Sequence, residues 1–88
     1  MQKIITVELD STKDIVKLPM DAKPLGCVAQ GDDGILAIFE VDQDAPIKAY
    51  DVKYPTVDED ADLTGFTYVG SAFFNDNTVV VPVYVKAM

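Results

Sequence analysis

The sequence predicts a small all-β domain, either an antiparallel β-sandwich or a half-open barrel of about seven short strands. The chain has 88 residues, 49% of them hydrophobic, which suits one domain spanning residues 1–88 with a modest core. Its apolar residues follow the period of two that strands require, and no segment shows a sustained helical period. Turn-forming residues interrupt the alternation at roughly 8–12-residue intervals, which is typical of small β-sandwiches.

Each predicted strand is bounded by turn chemistry. In the first strand, Ile5, Val7 and Leu9 share one face, and polar residues occupy much of the other. Gly31-Asp32-Asp33-Gly34 indicates a hairpin between the third and fourth strands. Asn75-Asp76-Asn77 indicates another before the last strand, because these residues tolerate positive φ. The predicted strands are Lys3–Leu9, Asp14–Leu18, Leu25–Gln30, Ile35–Val41, Ile47–Tyr54, Phe66–Phe74 and Thr78–Lys86.

The last strand is apolar on both faces. Every second residue from Val79 to Val85 is valine, and the residues between them are also apolar. Such a strand is either central in a two-layer core or covered by another subunit. Pro82 cannot donate to a ladder, so we expect an edge or a bulge there. An apolar edge needs a cover, and a loop of the chain, a partner or a homo-oligomer formed through this strand would each provide one.

The charged residues exclude several functions. The chain has 15 acidic residues and 7 lysines, with no arginine and no histidine. It therefore lacks imidazole, the usual proton shuttle near neutral pH, and guanidinium, the bidentate anion ligand. Its net charge of −8 disfavours direct binding to nucleic acid, which depends on basic residues that neutralise phosphates. These features predict a protein that binds other molecules and does not catalyse.

The net charge is concentrated in the middle of the chain. Ten acidic residues and two lysines lie between Asp32 and Asp62, and the remaining charges balance. A dense acidic surface can imitate a phosphate track and occupy the basic groove of a partner protein, with tyrosines supplying buried contact. The alternative is that the charge only keeps the protein soluble. The candidate binding residues are Asp42, Asp44, Asp58, Glu59, Asp60, Asp62, Tyr50 and Tyr54.

Other candidate sites are weaker. Asp58-Glu59-Asp60-Ala61-Asp62 spaces carboxylates as a Ca²⁺ loop does, but the positions that need glycine and glutamate hold Leu63 and Val69. This segment therefore predicts a solvated acidic loop, and we expect no metal and no cofactor. Cys27 lies among apolar neighbours without a histidine to activate it, which favours a structural thiol.

Three short elements carry a family resemblance. They are Leu18-Pro19-Met20-Asp21-Ala22-Lys23, the strand and turn from Ile35 to Pro46, and Tyr68-Val69-Gly70-Ser71. Together they resemble a family of short phage and prophage proteins of unknown function, over about residues 3–86. Members often have Trp and His in these strands, and neither occurs here. The resemblance implies a phage setting and an all-β fold, and it assigns no site residues.

These observations predict a non-enzymatic phage accessory protein. We expect stoichiometric binding to a host protein with a basic surface, such as a defence or nucleic-acid-handling protein, and inhibition of that protein. One alternative is a homo-oligomeric sponge for a nucleotide defence signal, with Lys13, Lys17, Lys23 and Lys86 lining a pocket between subunits. Another is a virion decoration protein. The single cysteine and the lack of a long apolar segment predict the cytoplasm of the infected host, without contact with a membrane.

Overall fold

Seven strands and no helix make up the computed structural model, which describes residues 1–10 and 12–88. All the strand pairs are antiparallel, so the predicted all-β class is confirmed. The strands are β1 (Gln2–Leu9), β2 (Ile15–Pro19), β3 (Lys23–Gln30), β4 (Gly34–Asp42), β5 (Ile47–Lys53), β6 (Thr67–Phe74) and β7 (Val79–Ala87).

The strands form two sheets that pack face to face. One has three strands in the order β1-β4-β3, and the other has four in the order β2-β5-β7-β6. Every second residue of β4 from Ile35 to Val41 is buried, and these side chains face those of the larger sheet. Phe39, Leu18 and Val83 are the largest fully buried side chains. Each stabilises the fold by about 1.5–3 kcal/mol through removal of apolar surface from water.

The sheets approach most closely along β3 and β6, where glycines form two facing bulges. The register shifts between Pro24 and Gly26 in β3, and between Tyr68 and Gly70 in β6. A Cβ atom on Gly70 would lie 2.9 Å from the backbone nitrogen of Cys27, so only glycine permits this approach. Among the described residues no ladder joins the two sheets, so of the two predicted architectures the fold is described as a two-sheet sandwich.

The last strand, β7, lies between β5 and β6 and is therefore central in its sheet. This is the first of the two arrangements that the sequence predicted for a strand that is apolar on both faces. It pairs with β6 over most of its length but with β5 only from Tyr84 to Ala87. The Met88 N–H donates to the Ala49 carbonyl on the β5 side, so by alternation the Pro82 nitrogen also points to that side. Since β5 ends at Lys53, Pro82 removes no ladder bond. We call Val79–Pro82 on this side the free half-edge of β7.

The connection from β5 to β6 crosses β7. β5 and β6 both run antiparallel to β7, so residues 54–66 must return along the sheet before β6 begins. This crossover loop lies over the outer face of the larger sheet. There the Lys53 Nζ atom donates to the Asp62 carbonyl at 2.7 Å and lies 4.7 Å from the centroid of the Phe66 ring. Within the described residues, no helix is long and apolar enough to cross a membrane.

A candidate binding cleft at one end of the sandwich

One end of the sandwich holds an apolar cleft of about 670 Å³. The β3–β4 turn, the β6–β7 turn and the end of β5 surround it, and the β1–β2 connection lies beside it. We call this the cleft end. Its walls include Ile35 from the smaller sheet and Val79 and Val81 from β7. The opening exists because β5 ends while β7 continues beyond it.

Tyr54 lines the cleft and also contacts the β1–β2 connection. Its hydroxyl donates a hydrogen bond to the Lys13 carbonyl at 2.8 Å, which connects the end of β5 to the β1–β2 connection. Burial, with smaller contributions from the negative charges of Asp10 and Asp14, raises the pKa of Tyr54 to about 12. The phenol therefore stays neutral even at mildly alkaline pH, and Tyr54 lines the cleft in its uncharged form.

Carboxylates lie at the mouth of the cleft and close to it. Asp32 and Asp33 line it directly. Asn75 of the β6–β7 turn also lines the cleft, and Asp76 is the next residue of that turn. Only some of these acidic residues come from the segment between Asp32 and Asp62, in which the sequence concentrates the net charge. We call the set the acidic rim, and its members are Asp10, Asp14, Asp32, Asp33, Asp58 and Asp76.

A second depression adjoins the cleft along the free half-edge. This edge groove has a volume of about 500 Å³ and lies between Tyr54–Asp58 and Thr78–Val81. Val57 and Val80 on its two sides are 49% and 37% exposed. Asp58, one of the predicted binding residues, lines the groove with φ of 67°, so the predicted acidic loop begins at the cleft end.

The predicted residues Asp42 and Asp44 lie at the opposite end of the sandwich. They flank the β4–β5 turn, and each accepts a hydrogen bond from the Met1 ammonium at 3.3 Å. The hydrogen bond from the Asp44 N–H, followed by that from the terminal ammonium, lowers the pKa of Asp42. Strand β5 separates this turn from the cleft end by about 20 Å. The candidate residues therefore do not form one continuous surface.

The remaining loop carboxylates have different surroundings. Glu59 and Asp60 are exposed on the crossover loop. The Asp62 carboxylate accepts the Thr64 N–H at 3.1 Å. Hydrogen bonds from Thr64, then the charges of Lys53 and Lys86, lower its pKa. Asp62 thus stays ionised and already accepts a hydrogen bond within the protein.

Tyr50 is not available as an interface anchor, contrary to the sequence-based prediction. It is 6% exposed and belongs to the core. Its hydroxyl donates to the Pro19 carbonyl and accepts from the Ala22 N–H, both at 3.3 Å. The alternation of β5 places Tyr50 and Val52 on the inner face, so the aromatic ring fills the core while the hydroxyl satisfies backbone groups. Of the two predicted tyrosines, Tyr54 alone reaches the cleft.

The lysines proposed for a nucleotide pocket are divided among several places. Lys23 and Lys86 line an open groove of about 590 Å³, together with the acidic Asp21. Lys13 is in the β1–β2 connection at the cleft end, and Lys17 is on the exposed side of β2. Only two of the four lysines therefore share a depression within this subunit.

The cleft end presents carboxylates, the neutral Tyr54 phenol, the Asn75 amide, the Lys13 ammonium and apolar side chains. Cys27 is half-buried beside Gly70 on the β3–β6 side, and burial raises the pKa of its thiol. Among residues 1–10 and 12–88, no three carboxylate or thiol side chains are placed to hold a metal ion.

Comparison with protein-family models, curated proteins and solved structures finds no match to this chain.

Proposed function

We propose that this protein is a non-enzymatic binding module that engages a basic protein surface through its cleft end. The observation that carries the proposal is the combination of an apolar cleft with the carboxylates of the acidic rim at and near its mouth. The rim would accelerate encounter with a basic surface and orient it, and the cleft would bury an apolar side chain from the partner. Stoichiometric occupation of this kind requires no chemical step.

The partner we propose is a bacterial host protein, and inhibition is the proposed consequence. The resemblance to phage and prophage proteins supports a host partner, since a phage accessory protein acts on the host. A basic groove that normally receives nucleic acid has the electrostatic pattern that the acidic rim complements. Occupation of such a groove would exclude the natural ligand.

The test compares two variants that lose equal charge at opposite ends. The first carries Asp32→Asn, Asp33→Asn, Asp58→Asn and Asp76→Asn, and the second carries Asp21→Asn, Glu40→Gln, Asp42→Asn and Asp44→Asn. Each immobilised variant and the wild-type chain are exposed to a bacterial lysate, and captured proteins are quantified by mass spectrometry. We expect the wild-type chain and the second variant to retain the same basic protein in stoichiometric amount, and the first variant to lose it.

Two results would count against this function. Equal retention by both variants would show that net charge alone, and not the cleft end, attracts the captured protein. Stabilisation of the wild-type chain by a cyclic nucleotide in a thermal-shift screen, without capture of any protein, would favour the nucleotide sponge, because only a bound ligand stabilises the folded state by mass action.

A further inference from the structure

We infer that the free half-edge of β7 receives an extended segment of the partner protein as an added strand. An apolar side chain of that segment enters the cleft, and flanking lysine or arginine side chains contact the acidic rim. The inference rests on the function proposed above and specifies how the partner binds. Strand addition to an exposed sheet edge is a general mode of peptide recognition, in which backbone hydrogen bonds give affinity and side-chain pockets give specificity.

The backbone of the free half-edge has groups available for pairing. By the alternation that directs the Met88 N–H toward β5, the N–H and C=O groups of Val80 and the C=O group of Pro82 point to the same side. In the described part of the chain, no backbone hydrogen bond joins residues 54–58 to this edge. An added strand can therefore pair with β7 without breaking a backbone hydrogen bond between these segments.

The prolines explain both why this edge is open and why it is short. Extension of the β5–β7 register beyond Lys53 and Tyr84 would place Pro55 opposite Pro82. Neither residue can donate a hydrogen bond, so the pairing of β5 with β7 ends there. Proline is also a common means of limiting edge-to-edge aggregation. On the free half-edge Pro82 offers only its C=O group, so Val80 is the position that offers both an N–H and a C=O group. The edge is suited to a short segment.

Space exists on both faces of an added strand. The edge groove separates Tyr54–Asp58 from Thr78–Val81, and the cleft lies on the inner side beside Val79 and Val81. Alternate side chains of an added strand point to opposite faces of the sheet. One set would enter the cleft, and the other would lie beside the exposed Val80 on the outer face.

Charge selects the occupant. The cleft and the edge groove are bordered by the carboxylates of Asp32, Asp33 and Asp58. A second copy of this chain would bring an identical acidic rim against the first, and a nucleic acid would bring its phosphates, so both are repelled. A segment with alternating apolar and basic residues has the complementary pattern.

The experiment measures binding of a synthetic peptide with alternating valine and lysine. Its control is a peptide of the same charge in which glycine replaces valine. Val80→Pro removes the donor at the free half-edge without removing a bond to β6, and Val80→Ala is the matched variant that keeps the donor. We expect Val80→Pro to bind the valine–lysine peptide at least about fivefold more weakly than Val80→Ala, because one hydrogen bond is lost. The glycine–lysine peptide should bind more weakly than the valine–lysine peptide to the wild-type chain.

Amide hydrogen exchange provides a readout on the unaltered chain. The Val80 amide should exchange more slowly when the valine–lysine peptide is bound. Equal affinities of Val80→Pro and Val80→Ala, together with unchanged exchange at Val80, would overturn strand addition. Suppose that strand addition is overturned in this way but the variant that replaces Asp32, Asp33, Asp58 and Asp76 still binds the peptide more weakly than the wild-type chain. The proposed function of the cleft end then stands without strand addition. If that variant binds the peptide as well as the wild-type chain does, the proposed function and strand addition both fail. Peptide-independent dimerisation that protects the Val80 amide would identify a second copy as the occupant and would also overturn the inference.

Discussion

At the scale of single residues, Tyr54 connects the fold to the candidate site. Its hydroxyl bonds the Lys13 carbonyl, while its ring borders both the cleft and the edge groove. The sequence marked Tyr50 and Tyr54 equally, because both are tyrosines in the same strand next to acidic segments. Burial separates them, and it depends on which face of β5 meets the smaller sheet. Tyr50 points inward from the strand, whereas Tyr54 lies just beyond its end.

Tyr54 also gives the fold a testable dependence on alkaline pH. Its pKa rises from the ordinary 10.0 to about 12 in the folded chain, mainly through burial. Between these values the unfolded chain loses the phenol proton while the folded chain keeps it. The contribution of Tyr54 to stability is therefore complete below pH 10 and disappears as the pH approaches 12.

Urea unfolding of the wild-type chain and of Tyr54→Phe over this pH range measures that contribution. We expect the free energy of unfolding to fall more steeply with pH in the wild-type chain than in the variant. Other tyrosines and the lysines are common to both proteins, so the difference isolates Tyr54. Parallel curves would contradict the assigned pKa.

At the scale of elements, the strands were predictable and their pairing was not. Alternation and turn residues are local signals, and they placed each strand to within about two residues of its observed bounds. The three consecutive positive φ values at Asn75, Asp76 and Asn77 confirm the predicted hairpin. The assignment of β1, β4 and β3 to one sheet depends on contacts distant in sequence, and so does the crossover from β5 to β6. No local pattern encodes these choices.

The effect of Pro82 on the sheet depends on which strands lie beside it. The sequence predicted an edge or a bulge at this position, and the structure shows an edge on one side of a central strand. The proline is tolerated because its nitrogen points beyond the end of β5. The adjacent Val81 points toward β6, where it lies opposite Ala72.

A shift of the proline by one position tests this arrangement. Pro82→Val should change the free energy of unfolding little, because the added N–H faces the free half-edge. Pro82→Val combined with Val81→Pro should destabilise the fold by about 1–3 kcal/mol, because the proline would then remove a ladder bond to β6 and leave its acceptor unpaired. Urea denaturation of the three proteins measures both effects. Similar stability of the two variants would show that the Val81 amide is not needed in the ladder.

At the scale of the whole molecule, folding redistributes the charge. The sequence locates the net charge of −8 between Asp32 and Asp62. The fold divides that segment, because the β4–β5 turn and the start of the crossover loop lie at opposite ends of β5. It also brings Asp10, Asp14 and Asp76 to the cleft end from outside the segment. A linear charge map could not reveal this, since a strand reverses direction at each turn and adjacent turns lie at opposite ends of the sandwich.

The central claim is that the cleft end is the binding surface, and NMR chemical-shift mapping tests it most directly. The isotope-labelled chain is titrated with the valine–lysine peptide, and the perturbed backbone amides are located on the structure. We predict the largest changes in Gly31–Gly34, in Tyr54–Asp58 and in Val79–Val81. Changes centred on the β4–β5 turn at Asp42 and Asp44, or spread evenly over the exposed carboxylates, would contradict the claim.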